Sequence, residues 1–115
     1  IRPGSVKTLF ELGGHDGADT LQLAEAFAAD VHAFECHPGL LPQARQRCAS
    51  HPRIRLVEQA VWDTDGRIPF YPVVRTIEQG RDIENVGASS CFRAGTGYHR
   101  LYEQEEIEVP SLRLD

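Results

Sequence analysis

The sequence predicts an α/β fold, a parallel sheet with helices on both faces, followed after residue 60 by an antiparallel hairpin region. Three observations predict it. A short apolar run, Leu9, Phe10 and Leu12, breaks into a glycine-rich turn, Gly13-Gly14-His15-Asp16-Gly17. A helical pattern follows, with Leu23, Ala24, Phe27 and Ala28 on one face. A second apolar run then starts at Val31, so strand, helix and strand form one tight unit, as a right-handed parallel crossover requires.

Residues 1–7 read as a lead-in punctuated by Pro3-Gly4. The first strand is apolar on alternate and consecutive positions alike, the mark of a strand buried on both faces of a parallel sheet. Its end carries the pattern acid-x-Gly-x-x-x-Gly, with Glu11, Gly13 and Gly17 in the three fixed places. Asp19 or Thr20 is the expected N-cap of a helix over residues 19–29, whose alanines favour it intrinsically. Asp30 ends that helix, and residues 31–35 form the second strand, with Glu35 at its carboxyl end. Pro38 suits the first turn of a second helix, about residues 40–49, which buries Leu41, Ala44 and Cys48. Its polar face carries Gln43, Arg45, Gln46 and Arg47.

Residues 54–59 alternate as a third strand. Asp63-Thr64-Asp65-Gly66 is a strong turn signal, and residues 67–74 read as a strand leaving a hairpin, confined to a sheet edge by Pro69 and Pro72. Between residues 75 and 104 the pattern weakens. Gly80, Gly87, Gly95 and Gly97 punctuate it, and residues 85–90 form a small polar loop that either covers a ligand or connects two strands. Residues 106–114 alternate as an antiparallel strand would.

At 115 residues the chain is expected to be a single domain, with a cofactor-binding unit over 1–60 and a hairpin and loop region over 61–115. A net charge of −5 gives no basic footprint for nucleic acid, and no apolar run approaches the roughly 20 residues of a membrane span. Three cysteines at irregular spacing fit a reducing compartment, and with no signal-peptide pattern the expected location is cytoplasmic. The chain starts at Ile1 and holds no methionine, so a preceding native start is expected.

Strand, glycine turn and helix together describe a nucleotide-cofactor site. Glycine permits the tight turn and a close approach by the ligand, and the helix behind it offers N–H groups and a partial positive charge. Charge discriminates between cofactors. A dinucleotide brings an anionic pyrophosphate and the spacing Gly-x-Gly-x-x-Gly, but His15 stands where the second glycine falls. Three acids, Glu11, Asp16 and Asp19, surround the turn and repel phosphate. S-adenosylmethionine has no phosphate, and its ammonium and sulfonium suit carboxylates, so the turn favours it over NAD. Glu35 stands 18 residues after Gly17, where an acid can accept both ribose hydroxyls. Gln59 has both a donor and an acceptor for the adenine edge, with Ala60 beside it; an ordinary polar strand end fits Gln59 equally well.

Several stretches together resemble the FkbM-type S-adenosylmethionine-dependent O-methyltransferases. They are Phe10-Glu11-Leu12-Gly13-Gly14-His15-Asp16-Gly17 and Ala33-Phe34-Glu35-Cys36-His37-Pro38, which all class I methyltransferases share in kind. Ala60-Val61-Trp62-Asp63-Thr64-Asp65-Gly66, Asn85-Val86-Gly87-Ala88-Ser89-Ser90 and Val109-Pro110-Ser111-Leu112-Arg113-Leu114-Asp115 point to this family in particular. The resemblance implies a Rossmann-like class I sheet with a central first strand. It implies that Glu11, Gly13 and Gly17 surround the methionine moiety and that Glu35 holds the ribose. With these go Gly14, His15, Thr20, Cys36, Gln59 and Ala60 as expected cofactor contacts. Cys36-His37 departs from the proline and asparagine more usual there, so the ribose loop is expected to be shaped differently. The family continues past Leu114-Asp115 into further strands, so the chain resembles the N-terminal part of an incomplete domain.

The implied reaction is methyl transfer to a hydroxyl of a small molecule or sugar. It needs alignment and help in deprotonating the acceptor. His15, His37 and His99 are candidate bases and His15 is the first among them, but no catalytic residue is assigned. Cys36, His37, Cys48 and His51 assemble into a zinc set only on paper: Cys48 fits a buried helix face and Cys-x-x-Cys spacing is missing, so no metal is expected. Arg75, Arg81, Arg93 and Arg100 lie among acids as solvated surface. Two rival readings stand: an NAD-dependent oxidoreductase, and a non-catalytic cofactor-binding or assembly module or inactive remnant. Cofactor affinity without turnover marks the module, and an exposed sheet edge with self-association is expected of a remnant that binds nothing.

Overall fold

The structure, a computed structural model, describes residues 2, 4–95 and 100–115; Ile1, Pro3, Gly97 and His99 lie outside the described residues. Among the described residues the fold is mixed α/β, with two α-helices and three small sheets. It divides into two compact units, Ile1–Gly66 with Pro110–Asp115, and Arg67–Val109. Among the described residues no helix is long and apolar enough to cross a membrane.

The first unit begins with β1 (Thr8–Leu12), α1 (Ala18–Phe27), β2 (Asp30–Phe34), α2 (Leu41–Cys48) and β3 (Ile54–Val57). The three strands are parallel in the order β1-β2-β3, registered Thr8↔Asp30 to Leu12↔Phe34 and Val31↔Ile54 to Phe34↔Val57. The helices pack against one another, so both cover the same face of this sheet. That corrects the expectation of helices on both faces. Two crossovers stepping in the same direction across a sheet, each right-handed, place their helices on one side. Val31, Ala33, Ala24, Ala29 and Ala44 form the buried core there, their small side chains letting helix and sheet approach closely.

The first strand also departs from expectation. It is an edge strand, and Phe10 and Leu12 are 61% and 59% exposed. The apolar pattern records what a strand is able to bury, whereas residues 8, 10 and 12 point away from the helix-covered face. Phe10 keeps partial cover by lying tilted against His32 and Phe34, at 5.3 and 6.2 Å between ring centres.

Helix α1 starts one residue earlier than predicted, and its N-cap is Gly17, not Asp19 or Thr20. Gly17 has φ 85°, which swings the chain out of the turn into the helix, and Asp16 Oδ1 accepts the Ala18 N–H at 3.1 Å. The helix stops at Phe27 because Ala28 adopts φ 49°, and Asp30 already belongs to β2. Helix α2 has Pro42, not Pro38, in its first turn. Pro38 precedes it in a turn closed by Leu40 N–H to the His37 carbonyl at 3.0 Å.

The third strand ends at Val57, two residues short of the prediction. Residues Ala60–Val61 (β4) leave that sheet and pair in parallel with the end of β9 (Ile107–Leu112), as Ala60↔Ser111 and Val61↔Leu112. On this side the pairing is parallel, where the alternation of residues 106–114 predicts an antiparallel strand; β9 also has β5 as its other neighbour. The Asp63–Gly66 turn is held from within the same unit: Ser111 Oγ donates to the Thr64 carbonyl at 2.7 Å, and Arg113 N–H to Asp65 Oδ1 at 2.8 Å.

The second unit holds β5 (Gly66–Phe70), an edge strand beside β9 as its proline demands, and an antiparallel sheet in the order β7-β6-β8. Strand β6 (Val73–Glu78) is central, with β7 (Arg81–Ile83) and β8 (Arg100–Gln104) on either side. Gln79 and Gly80 turn β6 into β7 with φ of 50° and 76°, the two positive values of a hairpin whose twist matches its strands. The polar loop 85–90 serves this unit as a connection: Ser89 Oγ accepts the Val73 N–H at 2.9 Å, and Tyr71 and Ser90 form a bridge.

Candidate functional site

The glycine turn sits at the carboxyl end of β1, beside the carboxyl end of β2. Its shape comes from three positive φ values, 87° at Gly13, 52° at His15 and 85° at Gly17. The glycines differ in what surrounds them. A Cβ at Gly13 would meet nothing within 4 Å, so that side of the turn is open to a ligand. A Cβ at Gly14 would lie 3.3 Å from Ala33 Cβ and 3.4 Å from Thr20 Oγ1, and one at Gly17 would lie 3.2 Å from Cys48 Sγ. Gly14 and Gly17 therefore let the turn pack down onto β2, α1 and α2, and Gly13 is the glycine that leaves space.

The turn's own amides are largely engaged inside the protein. Gly13 and Gly14 N–H both donate to the Phe34 carbonyl, at 2.8 and 2.9 Å, and Gly17 N–H donates to the Gly14 carbonyl at 2.9 Å. His15 N–H donates to Glu35 Oε2 at 2.8 Å. These four amides serve the turn itself; of the helix N–H groups expected to face a ligand, that of Ala18 is taken by Asp16 Oδ1, which corrects the expectation at that one position.

Glu35 is nearly buried, at 8% exposure, and is the centre of this arrangement. Its Oε1 accepts the N–H groups of Cys36 and His37 at 2.8 and 2.7 Å, while Oε2 accepts His15. A carboxylate offers about four acceptor positions, so with these three bonds kept one is left, on Oε2. Glu35 thus locks the turn of β1 to the loop after β2, and in this arrangement has room for one further donor instead of a pair.

Glu11 is half-buried, and Thr20 Oγ1 donates to its Oε2 at 2.5 Å. Burial pushes the Glu11 carboxyl above its ordinary value; the Thr20 bond opposes this, and Asp19 and Glu35 add to the rise. Thr20 itself is completely buried, so it supports Glu11 from beneath and presents no surface to a ligand.

Asp16 answers to a partner that the sequence did not flag. Arg47 of α2 pairs with its carboxylate and also donates to its main-chain carbonyl at 3.0 Å. The hydrogen bond from Arg47, helped by the Ala18 N–H, holds the Asp16 carboxyl down to about 2. The His15 side chain is half exposed, with Nδ1 3.7 Å from Asp16 Oδ1. Burial pushes the His37 imidazole below its ordinary value, and His37 Nδ1 accepts the Gly39 N–H at 3.0 Å.

Glu11, Gly13, Gly14, His15, Gly17, Thr20, Glu35 and Cys36 are therefore drawn together by β1, α1 and β2. Gln59 is half-buried between β3 and β4, and Ala60 is buried with its strand paired to β9. Of the zinc set considered above, Cys48 is buried on α2 with its thiol pushed up by burial. No cluster of three metal-holding side chains occurs among the described residues. No family model matches the chain, and neither does any curated protein.

Proposed function

We propose that this chain is an S-adenosylmethionine-dependent methyltransferase domain of the FkbM type, with a Rossmann-like class I sheet, acting on a hydroxyl of a small molecule or sugar. The observation that carries the reading is the pair of carboxylates, Glu11 and Glu35, flanking a glycine turn open at Gly13. The residues fit the cofactor chemically. Glu11 Oε1 supplies an anionic oxygen for an ammonium, and the remaining acceptor position of Glu35 suits a ribose hydroxyl. Gly13, Gly14, His15 and Gly17 line the turn, with Cys36, Gln59 and Ala60 as the further contacts the resemblance implies. When bound, S-adenosylmethionine supplies a methyl group on a cationic sulfur. The task of the chain is to hold it and exclude phosphate-bearing competitors.

One observation favours the NAD reading as a second. Arg47 neutralises Asp16, so the repulsion of phosphate at the turn comes from Glu11 and Asp19 rather than from three acids. Calorimetric titration with S-adenosylmethionine and, separately, NAD decides between them. Saturable binding of the first, lost in Glu11→Gln with the fold kept, and none of the second is the expected result. NAD binding alone overturns the methyltransferase reading.

A further inference from the structure

We propose that Thr20 is a positioning residue: its buried hydroxyl holds one oxygen of Glu11 and so reserves the other for the cationic end of a ligand. The ligand half of this statement rests on the function proposed above; the Thr20–Glu11 coupling stands without it.

Three features of the site carry the inference. Thr20 is fully buried on the first turn of α1, where a valine would fill nearly the same volume, yet its Oγ1 lies 2.5 Å from Glu11 Oε2. A buried hydroxyl is costly unless it is paired, and this one is paired to a carboxylate whose charge strengthens the bond. The pair lies directly against the turn, because a Cβ at Gly14 would be in ordinary contact with both partners, 3.4 Å from Thr20 Oγ1 and 3.6 Å from Glu11 Oε2. Finally, the groups facing Glu11 do not stabilise its charge. They are Asp19 from α1, Glu35 from the end of β2 and the Cys48 thiol from α2, while Arg47 is committed to Asp16. Thr20 is the hydrogen-bond donor that opposes burial and these acids at Glu11.

A purely structural threonine would leave the Glu11 titration where it is. Carbon-13 NMR titration of the Glu11 carboxyl in the wild type, Thr20→Val and Thr20→Ser therefore tests the coupling directly. The expected result is a midpoint about one pH unit higher in Thr20→Val, with Thr20→Ser returning to the wild-type value. Thr20→Ala is the second hydroxyl-free variant should valine prevent folding. An unchanged Glu11 midpoint in a folded hydroxyl-free variant overturns the proposal. Calorimetry with S-adenosylmethionine on the same proteins reads the ligand half. Thr20→Val should bind about fivefold more weakly at neutral pH and lose affinity at a higher pH on acidification, with Thr20→Ser restored. A shifted Glu11 midpoint with no binding even by wild type rejects the cofactor reading and leaves the coupling in place. Binding with an unmoved midpoint does the reverse.

Discussion

The two units share exposed ion pairs but differ in one respect: the first also turns carboxylates inward. In the first, Glu35 accepts three main-chain N–H groups and Glu11 takes a buried side-chain hydroxyl, beside exposed pairs such as Arg45 with Glu58. In the second, charges pair with one another at the surface, Arg75 with Asp82 and Glu103, Arg93 with Glu106 and Arg100 with Glu78. Buried charge-assisted bonds to backbone hold a specific loop shape and are costly to break, whereas exposed ion pairs contribute little. The contrast separates a preorganised site from an ordinary solvated sheet.

The sharpest way to break that contrast is Glu35→Ala. It strands three N–H donors around a nearly buried position, and a loss of about 3 kcal/mol or more is expected in urea unfolding monitored by circular dichroism. Next come the glycines. Gly17→Ala combines a strained φ of 85° with contacts of 3.2 Å to Cys48 Sγ and 3.3 Å to Ala44 Cα, and should cost about 2 kcal/mol. Gly13→Ala has open space and should cost only the φ strain, about 1 kcal/mol, while weakening S-adenosylmethionine binding much more than stability.

A smaller effect of the opposite sign is expected in the second unit. Thr76 is fully buried in β6, and its Oγ1 has no hydrogen-bond partner among the described residues. Thr76→Val should raise the unfolding midpoint, by about 1 kcal/mol of stability, where the same change at Thr20 should lower it.

The smallest effects belong to the exposed pairs, and pH distinguishes them. Asp16 has its carboxyl held at about 2, below the ordinary 3.8, by Arg47. Its contribution is therefore fully present above about pH 4 and is lost as pH falls through 2. The difference in stability between wild type and Arg47→Ala should be constant near neutrality, small as for a partly exposed pair, and should close between those two values. Arg75→Ala should leave the midpoint unchanged within error.

The features of the site visible in sequence were those encoded within one contiguous stretch. The glycine turn, the acid before it and the acid at the end of β2 are local patterns, and the backbone obeys them. What crosses between elements was not visible. Arg47 reaches Asp16 over 31 residues, and nothing about an arginine on the polar face of a helix announces which acid it will meet. Thr20 looked like a cap or a contact because hydroxyl residues favour both; its complete burial and its bond to Glu11 come from how α1 lies against β1, which the sequence pattern does not carry. In the second unit β8 escaped notice because its pairing with β6 is non-local, whereas β7 pairs locally and Gln79-Gly80 was a usable turn signal for it. The exposure of Phe10 and Leu12 teaches a related lesson: an apolar strand states a capacity for burial, and topology decides how much of it is used.

The proposed cofactor site is the turn between β1 and α1 together with the loop after β2. Titrating S-adenosylmethionine into nitrogen-15-labelled protein and following backbone amides tests it most directly. Saturable shifts are expected at Gly13, His15, Gly17 and residues 35–37, with the 67–109 unit unmoved. Saturation confined to that second unit, or no shift at the turn at ligand concentrations in the millimolar range, would contradict it.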